Sequence, residues 1–441
     1  MEEARLARGT RDLLPEQASR RNAVIAVLRE VFARHGFEPL ETPALERIET
    51  LTGKYGDEGQ KLIFRILKRG EGGEKGESDL ALRYDLTVPL ARVVAMNPAL
   101  RMPFKRWQIA PVWRADRPAK GRFREFWQCD CDIVGSTDIL ADAECIAVAA
   151  DAMTTIGLPA FTVRINDRRL LRATARAAGV PAEREGALLV AVDKIDKIGR
   201  DGVDAELAEK GLITADTSRL WSVLSLKGDP AAVLDGLRRE LGDTGEAGNA
   251  LRDLADVIAL AGDLGVPAGT LRVDPTLARG LDYYTGPVFE VEVEEPKVGS
   301  LAGGGRYDEL IGVFGKQPIP AVGIALGLER ILTVLGEIGR LPPGADRPDV
   351  LVAVYDPAHR GHAAAAARAL RDAGIRTDLY AGAGKLKAQY KHADSLGVRF
   401  VAIVGPDEAA ANKVTLKELG TGAQMTVPLA DAIRRVQGGA T

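Results

Sequence analysis

The stretch Arg101–Asp132 reads RMPFKRWQIAPVWRADRPAKGRFREFWQCDCD. Two β-prone runs, Phe104–Trp113 and Phe123–Val134, flank the turn-forming residues Asp116-Arg117-Pro118-Ala119-Lys120-Gly121, a pattern that predicts an antiparallel hairpin. Between Arg101 and Arg124 lie eight Lys or Arg and one acidic residue, Asp116, although the whole chain carries a net charge of −3. Arginine offers planar paired donors that match phosphate oxygens and keeps its charge at any relevant pH, so the loop suits a polyphosphate. A solvated basic loop would give the same composition. The second strand adds chemistry. Alternation puts Gln128, Asp130 and Asp132 on one face and Trp127, Cys129 and Cys131 on the other. A Gln and an Asp at i and i+4, next to a basic loop, make a floor for a small polar cationic ligand beside a phosphate site.

Outside this hairpin, composition narrows the choices. At 441 residues, 46% hydrophobic and 27% charged, the chain has room for two or three domains with real cores. It contains no apolar run of membrane length, and MEEARLARGTRDLLPEQ lacks the pattern of a signal peptide. Cys129, Cys131 and Cys145 have neither disulfide-framework nor zinc-knuckle spacing and read as small apolar core residues in a reducing cytoplasm. The four His, at 35, 359, 362 and 392, lie far in sequence from the hairpin, which argues against a Ser-His-Asp triad or a His-ligated metal there. No Walker-type G-x-x-x-x-G-K-[ST] is present, and Gly303-Gly304-Gly305 lacks the second half of a dinucleotide fingerprint.

Taken in order, Pro15–His35 has helical apolar spacing at Val24, Ile25, Val27, Leu28, Val31 and Phe32, closed by Gly36 and a short extended segment, Phe37–Glu41. Leu62–Leu67 reads as a strand and Gly70–Ser78 as a Gly- and charge-rich loop. Leu82-Arg83-Tyr84-Asp85-Leu86-Thr87-Val88-Pro89 leads into a helix reaching Met96, and Asp85 and Thr87 suit its N-terminal cap. From Asp167 to about Leu264 the chain is helical in period and has no chemical motif. Strand chemistry returns with Leu271–Arg306, where Phe289, Val291 and Val293 alternate with Glu290, Glu292 and Glu294, and Leu301–Asp308 reads as a Gly-rich turn. Residues 341–348 form a Pro/Gly linker. Beyond it strands and helices alternate, predicting a small α/β domain. From Arg347 onward there are 13 Lys or Arg against 9 Asp or Glu, a net +4, and Lys385, Lys387, Lys391 and His392 share one helix. A polyanion partner or ordinary surface variation accounts for this equally well.

The run VWRADRPAKGRFREFWQCDCD, Val112–Asp132, resembles motif 2 of the class II aminoacyl-tRNA synthetases, in detail that of the histidyl-tRNA synthetase family. RGLDYYTG at Arg279–Gly286 is similar to a motif particular to that family, Leu82–Pro89 to its substrate segment, Pro15–Pro43 to motif 1 and Ala321–Arg330 to motif 3. The resemblance implies an α+β catalytic domain, an antiparallel sheet flanked by helices, in two parts (1–166 and 266–340). A helical insertion at 167–265 would clasp the tRNA acceptor stem, and the α/β domain at 349–441 would bind the anticodon. Implied ligands are L-histidine, ATP with Mg²⁺, and tRNA-His; implied context is a homodimer in the cytoplasm. Arg279 and Arg114 would be catalytic at the α-phosphate. Arg122 and Arg330 would join them in binding ATP. Asp85, Leu86, Thr87, Gln128, Asp132, Tyr283 and Tyr284 would bind histidine, and no metal ligand is assigned. The chain departs from some relatives at Ala119, where they carry an amide that reads the tRNA 5′ end, and at Asp85 and Asp132, where they carry Glu. The rival within the same fold is a non-catalytic synthetase-like regulatory subunit of ATP phosphoribosyltransferase.

Overall fold

The computed structural model describes residues 4–52, 56–212, 217–278, 283–315, 317–344 and 347–438, with backbone alone for 56–58. It divides into two compact units, one of residues 1–14 and 21–342, the other of residues 15–20 and 343–441.

The first unit is built on one large sheet. Helix Pro15–Arg34 leads to β1 (Glu38–Pro39), β2 (Leu45–Arg47), β3 (Arg65–Leu67) and β4 (Ser78–Leu82). Helix Thr87–Met96 follows, then β5 (Phe104–Trp113) and β6 (Glu125–Val134). Helix Leu140–Thr155 precedes β7 (Thr162–Asp167); after a helical stretch come β8 (Leu271–Val273), β9 (Pro287–Glu292), β10 (Ala302–Arg306), β11 (Ala321–Gly327) and helix Leu328–Glu337. Eight strands join in the order β1-β5-β6-β11-β10-β9-β7-β8, and β2-β4-β3 form a small separate sheet. The hairpin is as its alternation predicts: β5 and β6 pair antiparallel over their full length, with Arg106 opposite Asp132 and Gln108 opposite Asp130. The sheet is mixed rather than purely antiparallel, because β1 pairs with β5 and β7 with β8 in parallel. Those are pairings between distant segments, which local alternation does not report.

Alternation explains the layering. Cys129, Cys131 and Ile133 of β6 and Ile324 and Leu326 of β11 face a core shared with Leu28, Val31 and Phe32 of the first helix and Ile146 and Met153 of helix Leu140–Thr155. All three cysteines are buried and unbridged there. The opposite face of the same strands carries the polar residues.

Two local expectations are corrected. The Gly303–Gly305 run is not a turn but the strand β10. A Cβ at Gly304 would stand 2.1 Å from the Gly323 carbonyl and 2.6 Å from the Phe289 ring, and one at Gly305 would meet Tyr284 at 2.9 Å, so close approach rather than bending calls for glycine here. The Gly70–Ser78 loop contains a single helical turn, Glu71–Glu74, and runs directly into β4.

Among the described residues between 168 and 263 lie six α-helices, from Arg168–Ala177 to Gly245–Asp263. Leu171, Leu188, Val203, Leu220 and Trp221 form a cluster of their own. Leu251, Leu254, Val257 and Ala261 of helix Gly245–Asp263 lie at helical spacing and join the main core instead. In the second unit, β12 (Val350–Ala353), β13 (Thr377–Leu379), β14 (Phe400–Ile403), β15 (Lys413–Glu418) and β16 (Gln424–Pro428) form a sheet in the order β13-β12-β14-β15-β16. Helices Arg360–Asp372, Leu386–Leu396, Pro406–Ala411 and Leu429–Gln437 accompany it. Periodicity predicts helices near 361–373, 385–395 and 429–436 but not the short Pro406–Ala411.

Candidate active site

The polar face of the large sheet floors a cavity of about 360 Å³, within the range of small-molecule sites. Nine of the residues singled out from sequence line it: Asp85, Thr87, Arg114, Arg122, Gln128, Asp132, Tyr283, Tyr284 and Arg330. Four separate parts of the chain thus converge on one space. Leu86 does not line it; its side chain is fully buried and its carbonyl accepts from Arg106 Nη2 at 3.2 Å. Arg279 lies outside the described residues.

One end is basic. Arg114 donates from Nε to the Tyr84 carbonyl at 3.0 Å, and its guanidinium lies 4.3 Å from the centre of the Tyr84 ring and 5.2 Å from that of Phe126. A backbone bond and two aromatic faces hold the guanidinium plane before any ligand arrives. Arg122 is anchored by Asp116 at 2.6 Å, and Arg330 by the Ser300 carbonyl. The hairpin loop reaches the motif 3 helix: a Cβ at Gly121 would lie 3.4 Å from Arg330 Cγ.

The other end is acidic and aromatic. Asp85 caps helix Thr87–Met96, accepting from the Val88 N–H at 3.1 Å, while it also lines the cavity, so the capping and ligand readings are compatible. Asp132 is held from both sides: Tyr307 donates to Oδ1 at 2.6 Å and Arg106 Nη2 lies 2.7 Å from Oδ2. Gly323 makes this possible, since a Cβ there would fall 1.9 Å from Asp132 Oδ1. Tyr283 packs edge-on against both Tyr284 and Tyr307, with ring centroids 5.0 and 5.7 Å apart. Burial, with Asp132, Asp130 and Asp85 nearby, raises the Tyr284 hydroxyl above its usual range and keeps it a donor.

Several wall residues went unassigned from sequence. Asp130, Glu290 and Tyr307 line the cavity, and fully buried Arg106 stands behind Asp132. Alternation already places Asp130 beside Gln128 and Asp132. Arg106 required the β5–β6 register, and Tyr307 required knowing that the glycine run is a strand.

A family model described as histidyl-tRNA synthetase matches residues 9–331, and one described as an anticodon-binding domain matches residues 349–438. The chain belongs to the histidyl-tRNA synthetase family. Among curated relatives named histidine--tRNA ligase, that of Aeropyrum pernix is 44% identical, over 98% of this chain and 97% of its own length. That of Gloeobacter violaceus is 43% identical over the same shares. The crystal structure of histidyl-tRNA synthetase from Nostoc sp. PCC 7120 is similar with a TM-score of 0.84 at 31% identity, covering 99% of this chain and all of that one. A structure titled as an ATP phosphoribosyltransferase regulatory subunit/histidyl-tRNA synthetase from Bacillus halodurans is similar with a TM-score of 0.72 at 26% identity, over 87% of this chain. The full-length ligase relatives favour the synthetase over the regulatory subunit. The fold is that of a class II histidyl-tRNA synthetase, and synthetases of this class use ATP as a substrate.

Proposed function

We propose that this chain ligates L-histidine to tRNA-His through a histidyl-adenylate. The observation that carries the reading is the two-ended cavity, arginines at one end and carboxylate, amide and tyrosine groups at the other. In the first step a carboxylate oxygen of histidine attacks the α-phosphorus of ATP; the new O–P bond replaces the bond to pyrophosphate, which leaves. In the second a terminal adenosine hydroxyl of the tRNA attacks the acyl carbon, losing its proton, and AMP departs. Neither step needs a protein nucleophile, only positioning and neutralisation of charge on phosphorus. Arg114 and Arg279 would flank the α-phosphate, with Arg122 and Arg330 on the distal phosphates. Asp85, Thr87 and Gln128 would hold the ammonium, and Asp132 and Tyr284, beside Tyr283, the imidazole end. A carboxylate facing a ring N–H rejects apolar analogues, which leave it unpaired.

Mg²⁺ would accompany ATP and neutralise phosphate charge. Such an ion needs only one or two carboxylates besides phosphate oxygens and water. Glu290 and Glu329 are acids on the cavity wall, although no group of three metal-binding side chains occurs among the described residues. The basic second unit would read the anticodon, the helices at 168–263 would contact the acceptor stem, and the chain would work as a cytoplasmic homodimer. No helix among the described residues is long and apolar enough to cross a membrane. ATP–pyrophosphate exchange with each amino acid in turn tests the reading. Exchange with histidine alone is expected; exchange driven by another amino acid, or by none, overturns it.

A further inference from the structure

Three groups on the polar face of β6 could meet a ligand, and they are not equally committed. Asp132 already accepts from Tyr307 and pairs with Arg106. Gln128 Oε1 and both carboxylate oxygens of Asp130 are buried on the cavity wall and have no hydrogen-bond donor among the described residues. Asp130 is only 1% exposed. Burying a carboxylate without donors is costly, and native structures seldom keep such a group without a use.

Its surroundings say what kind of group would satisfy it. Gln108, opposite on β5, exchanges hydrogen bonds with Thr42. Arg106, on the neighbouring strand, directs its Nη2 to Asp132 and the Leu86 carbonyl, and its buried Nε and Nη1 make no hydrogen bond among the described residues, so none of its donors reaches Asp130. What remains is the cavity, and a carboxylate there calls for an N–H donor. Burial pushes the Asp130 carboxyl well above its ordinary range; Arg106 offsets part of this, while Asp132 and Asp85 add to it. A donor entering the cavity would relieve that penalty, which an apolar side chain of the same size would not.

We infer that Asp130 is a further specificity-determining residue of this site, its carboxylate accepting a hydrogen bond from a ring N–H of the substrate alongside Asp132, which Tyr307 and Arg106 hold in place. The inference rests on histidine occupying the cavity. Asp130 thereby adds a second carboxylate to the one, Asp132, that senses whether the ring carries a donor.

Asp130→Asn keeps the size and removes the charge. Pyrophosphate exchange is measured for wild type and variant with histidine and with 3-(2-thienyl)alanine, whose ring has no N–H. Loss of a charged hydrogen bond raises the KM for histidine about 10- to 100-fold. The KM for ATP stays within about twofold, and the preference for histidine over the thienyl analogue falls by a similar factor. Melting curves of both proteins accompany the kinetics. An unchanged histidine KM in a folded variant overturns the inference, as does a lowered melting temperature with substrate preference intact, which would make Asp130 a structural companion of Arg106. If wild type itself fails to activate histidine, the underlying reading falls and the inference with it.

Discussion

Lys105 and Arg106 are neighbours on β5, yet they serve two clusters that differ in almost every physical respect. Lys105 points to the outer face, where its Nζ lies 2.8 Å from Glu144 and donates to the His35 carbonyl at 2.6 Å. His35 bridges Glu144 and Asp151 at 3.3 and 3.2 Å. The hydrogen bond from His35 and the nearby Lys105 bring the Glu144 carboxyl down to about 2. Arg106 points into the sheet's polar face, toward Asp132 and Asp130, and there burial drives Asp130 the other way. The outer acids are paired by the protein for the protein. The inner ones are held partly unsatisfied, at a cost that a ligand relieves. A perturbed carboxylate alone does not mark an active site; one that also lines a cavity is the candidate.

The largest effect expected from breaking this contrast is at Asp132. Replacement by Ala leaves Arg106 charged and fully buried without its partner, which costs about 3–5 kcal/mol of stability. Denaturant unfolding checks this, and the surviving folded protein should show a raised histidine requirement with little change for ATP. Next comes Arg114→Ala at the basic end, expected to slow pyrophosphate exchange about 10²–10³-fold while the midpoint of thermal unfolding stays near wild type. Arg279→Ala should behave alike, and exchange within tenfold of wild type would remove that residue from the assignment.

Glu144→Gln sharpens the comparison from the outer side. The cluster is partly exposed and solvent-screened, so the loss is about 0.5–1 kcal/mol, with exchange kinetics unmoved. Its pH dependence has a definite sign. The Glu144 hydrogen bond raises the His35 pKa above its ordinary 6.5, so its stabilisation is complete below that pH and is lost as pH rises through the higher folded-state value. Glu144 is depressed to about 2, so its stabilisation is present above about 4.5 and is lost as pH falls toward 2. The stability difference between wild type and Glu144→Gln should therefore peak near pH 5–6 and shrink on either side. A difference that does not vary with pH would mean the cluster is not ionised as described.

Much of this was legible in the sequence, for identifiable reasons. The hairpin showed because period-two alternation and turn residues are local signals, and the C-terminal unit because strands and helices there alternate with few long excursions. Gln128 and Asp132 showed because alternation puts them on one strand face; Asp85 read as a helix cap, and only the resemblance of Leu82–Pro89 to the family's substrate segment made it a ligand residue. What stayed hidden is non-local. Arg106 reads as one more cation until register sets it opposite Asp132. Gly303–Gly305 reads as a bend because glycine disfavours strands, and only the packing of Phe289 and Tyr284 explains it. The parallel edges of the sheet join segments dozens of residues apart. Asp130 was visible on the right face, but nothing in the sequence reveals that its neighbours have other partners.

The account turns on inner acids serving a ligand and outer acids serving the fold. Equilibrium binding of histidine, measured by calorimetry on wild type, Asp130→Asn and Glu144→Gln, tests this most directly. The dissociation constant should rise at least about tenfold in the first variant and stay within about twofold in the second. Equal shifts in both, or a shift in Glu144→Gln alone, would contradict it.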